Sequence, residues 1–383
     1  MHWLHRASPW RCLFELPYEP EVGEQRLIEP LQRVLSATPA NLTSAYQWQH
    51  QWVEVLIRYD LPAWRISQLI SDYNAWLYRR AIDESLEEMA SQGWGPVPAR
   101  YCVLVLGSGA RDESLLGPDQ DNALIIEDYP DSRQRDIDGY FQALGEGFTR
   151  RLDEAGIPLC QGHVMARWPM WRKRLNEWQA QLELWTQDRQ VKRVQQTNIL
   201  LDFSPIHGDD SLADDLAQSV TQILPNRSLF MDEMAALLDE LPVALNRRGR
   251  LANTSAQEGP FKQAIDLKRQ GVMPLLSAVR LLAVHQRCQK VSTRDRLMAL
   301  GIAPHCPLTP VEAETVLATF QRLQQLMFNQ QCHQVAIGLT PDSWLDLTRL
   351  RADEAHMLAY DLQAVRRFVS WVQSQVRSSR RVT

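Results

Sequence analysis

From about residue 24 to residue 89, apolar residues recur at three- and four-residue spacings. The pattern is clearest in LTSAYQWQHQWVEVLIRYD and AWRISQLISDYNAWLYRRAIDESLEEMA, and it predicts helices. Trp48 and Trp52 stand four apart and so share one helix face. Pro62, in YDLPAW, separates two helices at a position where proline commonly begins one. The loop GWGPVP, residues 93–98, closes this helical lead and marks a first boundary. At Tyr101 the texture changes. YCVLVLG is a short, continuous apolar run rich in Val and Leu, which predicts a buried strand, and ALIIE (123–127) predicts a second after the loop-like LLGPDQDN. A helix over 133–155, a strand in PLCQGHVMA, a helix over 168–185 and a strand in NILLDFSPI (198–206) are expected to follow. Alternating strands and helices over roughly 100 residues predict an α/β unit. Beyond His207 helical periodicity resumes in SLADDLAQSVTQIL and continues through PLLSAVRLLAVHQRC, PVEAETVLATFQRLQQLMF and EAHMLAYDLQAVRRFVSWVQSQV, which predicts a helical bundle with short loops. The chain carries no fixed-period repeat and no low-complexity tract.

Composition sharpens this outline. A chain of 383 residues is more than one compact core usually needs. The expected division is a helical region over 1–95, an α/β domain over 96–225 and a helical bundle over 226–383. Hydrophobic residues at 45% and charged residues at 23% exclude wholesale disorder and a fibrous repeat. Lys+Arg at 41 against Asp+Glu at 46 gives a net charge of −5, without the basic footprint of a duplex-binding protein, so nucleic acid is not expected as a partner. No apolar run approaches the roughly 18–20 residues of a membrane span, and the nearest, MPLLSAVRLLAV, carries Arg280. The amino terminus, MHWLHRASPWRCLFELP, mixes Trp, His and Arg where a secretory signal would be continuously apolar, so a cytoplasmic protein with no membrane partner is expected. The six cysteines contain no C-x-x-C pair, which suggests buried free thiols rather than disulfides or a thiolate zinc site. Trp168, Trp171, Trp178 and Trp185, at spacings of 3, 7 and 7, are expected along one stripe of a helix. Such a stripe suits a packing seam; a base-stacking platform is the alternative.

The chemistry concentrates in VLVLGSGARDESLLGPDQDNALIIED. A strand runs into Gly107-Ser108, and ten residues later Asp119 and Asp121 stand two apart at the entrance to the next strand, where alternation points both carboxylates to one face. Two carboxylates beside a small-residue turn that phosphate oxygens can approach suit Mg²⁺ and a nucleoside triphosphate. The alternative is a solvated acidic turn. Asp202, among Leu200, Leu201 and Phe203, adds a third acid, because a carboxylate in an apolar strand is costly unless it is paired or metal-bound.

Taken together, these residues resemble the DNA polymerase beta-like nucleotidyltransferase superfamily. Within it, GSGARDESLLGPDQDNALI is similar to the bacterial nucleotidyltransferases that often follow CBS and cyclic-nucleotide-binding modules and are related to PII-protein uridylyltransferases. The similarity continues in CQGHVMARWPMWRKRLNEWQAQLELW, ILLDFSPIHGDDSL and IDLKRQGVMPLLSAVRLLA, and spans roughly residues 63–376; no CBS or cyclic-nucleotide module is visible. The resemblance implies an α+β fold: a small mixed sheet with helices, flanked by an N-terminal helical region and a C-terminal bundle, with the active site in the cleft between sheet domain and bundle. It implies Mg²⁺ or Mn²⁺ as cofactor and transfer of a nucleoside monophosphate to a hydroxyl, with a signalling protein as a candidate acceptor. It further implies Asp119, Asp121 and Asp202 as metal ligands, with Asp202 the third carboxylate that helps activate the attacking hydroxyl, and Gly107 and Ser108 as triphosphate contacts. Arg111 matches the arginine of a Gly-Ser-x-Gly-Arg pattern, and Lys268 and Arg269 match a Lys-Arg pair; all three would neutralise phosphate charge. Two positions depart from the pattern: Ala110 stands for its second glycine, and Ser204 stands where Asp-x-Arg would place an arginine. The alternative within this resemblance is a nucleotide-sensing protein that binds without turnover.

Three further features allow two readings each. His163 resembles the Gly-His of uridylyltransferases, or is a structural histidine. His207 marks a turn after the Asp202 strand, or binds metal. Arg247, Arg248 and Arg250 hold phosphate, or form a solvated basic loop; RSSRR reads as a frayed tail.

Overall fold

The computed structural model describes residues 61–187, 191–252, 261 and 263–378, together with shorter stretches of the first 60, of which residues 8–15 are the longest; at 191–195 and 378 the backbone alone is described. Trp48, Trp52 and most of the helical lead before Pro62 lie outside the described residues, as do residues 379–383. The chain forms two compact units: Met1–Trp178 with Asp202–Leu216, and Gln179–Leu201 with Ala217–Thr383.

The first unit is built on a long helix, α1 (Ala63–Ser91), which starts behind an extended Pro62. It buries Ile66, Leu69, Ile70, Tyr73, Leu77, Ala81 and Ile82 at the helical period that predicted it. Gly93, at φ +84°, ends it and lets the Trp94 N–H bond back to the Met89 carbonyl. Strand β1 (Tyr101–Leu106), the one-turn helix α2 (Gly107–Ala110) and β2 (Asn122–Ile126) follow. Helix α3 (Gln134–Ala155) packs on α1 through a face that includes Ile137, Phe141, Leu144, Phe148 and Leu152. With β3 (Arg172–Arg174) and β4 (Phe203–Gly208) the sheet has the order β3-β2-β1-β4; β1 runs antiparallel to both its neighbours, and β3 is parallel to β2. This is the small mixed sheet with helices expected from the sequence.

Three expectations are corrected. PLCQGHVMA is a loop, not a strand: Cys160 to His163 form a turn closed by the His163 N–H on the Cys160 carbonyl, and His163 takes φ +58°. The strand that pairs with β2 is instead the polar Arg172–Arg174, whose lack of apolar alternation hid it. The tryptophan stripe is broken. Pro169 holds Trp168 extended and outside any helix, Trp171 lies in a 3-10 turn (Pro169–Trp171), and only Trp178 and Trp185 stand on α4 (Leu175–Gln187). In NILLDFSPI the first three residues end a helix, α5 (Val191–Leu200), and the strand starts only at Phe203. An apolar run of this length does not by periodicity separate buried helix from buried strand.

The second unit is helical, as expected beyond His207. Helix α6 (Asp210–Ile223) leads into it, and α7 (Ser228–Leu237), α8 (Met273–His285), α9 (Thr293–Ile302), α10 (Pro310–Ala336) and α11 (Ala352–Ser378) form its body. Leu275, Val279, Leu282, Leu358, Leu362 and Val365 lie in its core. Thr309 and Glu312 form a capping box at the start of α10, with Pro310 in the first turn. Arg322 on α10 meets the fully buried Asp361 on α11 at 2.6 Å. A short ribbon, β5 (Ala264–Asp266) with β6 (Trp344–Asp346), completes the unit. Among the described residues, no helix is long and apolar enough to cross a membrane.

Candidate active site

Sheet register brings three chain segments to one end of the first unit. Val105 pairs with Asn122 and Leu106 with Phe203, so the exit of β1 lies beside the entrances of β2 and β4. Gly107 follows that exit, Asp121 precedes β2 and Asp202 precedes β4. Two backbone hydrogen bonds lock the junction: the Leu106 N–H donates to the Asp121 carbonyl, and the Gly107 N–H to the Asp202 carbonyl, each at 2.9 Å. Gly107 has φ +61°, and a Cβ added there would stand 3.3 Å from Asp121 Oδ2. Glycine is therefore needed for both backbone conformation and carboxylate approach. Ala110 needs no such freedom: it is buried, and its φ is not positive. The positive φ values of this turn fall on Gly107 and on Asp112, at +59°. The Ser204 hydroxyl donates to the Ala110 carbonyl at 3.1 Å and ties β4 to the turn. Ser108 is half-buried, and its hydroxyl makes no hydrogen bond among the described residues.

The facing of Asp119 and Asp121 is set by the amides between and beside them. Gln120 is fully buried and donates through Nε2 to the Thr149 and Ile157 carbonyls. Asn122, also buried, accepts the Ala166 N–H at 2.8 Å. Backbone bonds from Gln120 to Pro158 and from Asn122 to Val164 bind the same stretch to the 157–166 loop. With both amides turned inward, Asp119 is exposed and Asp121 half-buried. The loop delivers a group that spacing in the sequence did not reveal, Cys160. Its Sγ and one oxygen from each of Asp119 and Asp121 lie within 4.8 Å of one another. Burial and then the Asp121 charge push the Cys160 thiol up to about 12, and the thiol is hydrogen-bonded to Asp121. Tyr78 of α1 also reaches this stretch: burial drives its hydroxyl well above the usual phenol range, Asn122 Nδ2 donates to it, and the Asp121 and Asp119 charges add to the rise. Two carboxylates at cation-sharing distance fit a hard divalent cation such as Mg²⁺.

Asp202 is fully buried and outside that trio. Its Oδ2 accepts from Arg111 Nη1 at 2.6 Å, while Arg111 Nε reaches Glu113 at 2.7 Å. Burial alone would depress the guanidinium, but Glu113 and Asp202 beside it hold it above its usual range. Gly107, Ser108, Arg111, Asp119, Asp121 and Asp202 thus gather in the first unit. Lys268 and Arg269 lie in the second, exposed in the π-helical turn Lys268–Val272 after β5. His207 belongs to β4 and bridges the Tyr101 hydroxyl (3.0 Å) and Asp83 (2.9 Å). His163 is exposed and packs edge-on to Trp168. The 247–250 segment is a turn, with the Gly249 carbonyl accepting from Gln363 of α11.

A small mixed sheet carrying a Gly-Ser turn and a paired-aspartate strand entrance is the architecture of a nucleotidyltransferase domain. Residues 47–192 match the family described as "Putative nucleotidyltransferase DUF294", and residues 228–376 match the "Putative nucleotidyltransferase substrate binding domain"; the chain belongs to this nucleotidyltransferase family. No curated protein matches it.

Proposed function

We propose that the protein transfers a nucleoside monophosphate from a nucleoside triphosphate to a hydroxyl acceptor, with Mg²⁺ or Mn²⁺ held by Asp119 and Asp121. The observation that carries this reading is that Asp121 lies against the Gly107 turn and its carboxylate stands within reach of one cation shared with Asp119. Divalent cations bound there would neutralise the triphosphate and stabilise attacking and leaving oxygens. Gly107 allows a phosphate to lie close to the backbone. Its N–H is already given to Asp202, so the Ser108 hydroxyl is one donor this turn offers a phosphate. Gln120 and Asn122 hold the carboxylates in place, so little reorganisation is needed when charge develops. Arg111 is assigned to the nucleotide site through Asp202, which it orients. Lys268 and Arg269 are assigned as phosphate contacts on the family pattern. The proposed acceptor is a protein side chain, such as a tyrosine of a signalling partner, in a cytoplasmic setting.

A second reading, a nucleotide sensor with weak or no turnover, is favoured by one observation. Asp202, the acid that would activate the acceptor hydroxyl, is committed to Arg111 in a buried pair. Labelled nucleoside triphosphates with Mg²⁺ or Mn²⁺ and cell lysate separate the two. Label transfer or pyrophosphate release by wild type, lost in Asp119→Asn/Asp121→Asn, is the expected result. Tight nucleotide binding with neither product, across metals and acceptors, would replace the transferase with the sensor.

A further inference from the structure

Cys160 stands at the carboxylate pair and takes no part in the phosphoryl chemistry proposed above. It is 8% exposed, and its Sγ is grouped with one oxygen each of Asp119 and Asp121 inside 4.8 Å. Its loop is pinned on both sides to the stretch that carries the acids, through the Gln120 N–H to the Pro158 carbonyl and the Asn122 N–H to the Val164 carbonyl. The thiol therefore belongs to the same rigid body as its two oxygen neighbours. Ligands of one tetrahedral zinc stand roughly 3.5 Å apart, given bonds of about 2.0–2.3 Å, so side-chain rotation is enough to close the trio on a cation. Sulfur discriminates sharply among cations: Mg²⁺ and Mn²⁺ take oxygen, whereas Zn²⁺, Co²⁺ and Cd²⁺ accept thiolate alongside carboxylate.

We propose that Asp119, Asp121 and Cys160 form a thiophilic cation site of the Zn²⁺ class, and that its occupation displaces the hard cation from the shared carboxylates and arrests nucleotidyl transfer. On capture the Cys160 S–H bond breaks, an Sγ–metal bond forms and the proton leaves to solvent. Three protein ligands leave one tetrahedral position for water or a phosphate oxygen. The inference rests on the reading of Asp119 and Asp121 as cation ligands.

The test uses the metal-stripped full chain, with Co²⁺ as a spectroscopic probe and Zn²⁺ as competitor. Wild type and a Cys332→Ser control should show a thiolate-to-cobalt charge-transfer band that Zn²⁺ abolishes. The band should be absent in Cys160→Ser and lost or strongly weakened in Asp119→Asn/Asp121→Asn. Zn²⁺ affinity should fall at least about tenfold in Cys160→Ser, while Mn²⁺ affinity, read by electron paramagnetic resonance, stays within about twofold. Zinc-edge X-ray absorption of wild type should report one sulfur per zinc, so the proposal does not depend on any variant folding. Persistence of the band in Cys160→Ser, its insensitivity to the two aspartates, or a zinc shell without sulfur would overturn it. The expected band with no Mg²⁺-dependent transfer on any acceptor would sink the transferase and keep this site. Transfer that depends on the aspartates, without a thiolate band, would do the reverse.

Discussion

Asp72 lies on the buried face of α1, 7% exposed, with its Oδ2 lacking any hydrogen-bond partner among the described residues. Burial raises its carboxyl from 3.8 to about 6, against the opposing pull of the Ser8 hydroxyl and the Arg79 charge. The folded value exceeds the unfolded one, so the native state binds more protons between pH 4 and 6, and this group's contribution to stability falls as pH rises through that window. A gap of about 2 units at about 1.4 kcal/mol each puts the cost of the ionised form near 3 kcal/mol at neutral pH. Asp72→Asn keeps the shape and the Ser8 contact and removes the charge, but leaves a polar atom buried, so the expected gain is about 2 kcal/mol at pH 7.5. Thermal melts should show the first unit's transition about 5 °C higher in the variant. Amide exchange along α1 should slow in parallel. The decisive quantity is the difference between the two proteins as a function of pH, which cancels the other titrating groups. It should shrink toward zero by about pH 4. A difference that is constant with pH, or a destabilised variant at pH 7.5, would refute the assignment of an uncompensated buried carboxylate.

Gly107→Ala forces a left-handed φ on a residue with a Cβ and crowds Asp121; a loss of about 1–2 kcal/mol in denaturation and weakened Mn²⁺ binding are expected. Arg111→Met takes the guanidinium away from the buried Asp202 and from Glu113, and urea unfolding should show a loss of about 3–5 kcal/mol. Arg111→Lys should recover only part of it, because Nε and Nη1 address different carboxylates. Trp178→Phe removes the indole N–H that donates to the Leu124 carbonyl at 3.1 Å and leaves a void where the second ring packed, which together should cost about 2–4 kcal/mol in the same assay.

Strand β1 and the start of β2 were legible because a run such as YCVLVL, buried along its length, is apolar at every position. Helix α3 was legible because its apolar stripe keeps the helical period. Strand β3 was not, since Arg172, Lys173 and Arg174 gain their places from pairing with Leu124, Ile125 and Ile126. The extended tryptophan helix failed at Pro169, a breaker visible in the sequence that the 3, 7, 7 spacing outweighed. Asp202 stands out in the sequence as an acid that must be paired or metal-bound, but residue spacing does not reveal that Arg111 is the side chain that meets it.

By itself the sequence determined what is local: the helical periods, the β1 strand, the Gly107-Ser108 turn and the two-residue spacing of Asp119 and Asp121. These follow from side-chain alternation and backbone freedom, which act over a few residues. Tertiary structure decided every relation between distant segments. It paired Asp202 with Arg111, set Gln120 and Asn122 inward so that the aspartates face out, and brought Cys160 beside them through a loop with no periodic signal. The physical reason is that buried amides and charges take whichever partners the fold delivers, and hydrogen-bond satisfaction across a sheet end leaves no trace in residue spacing.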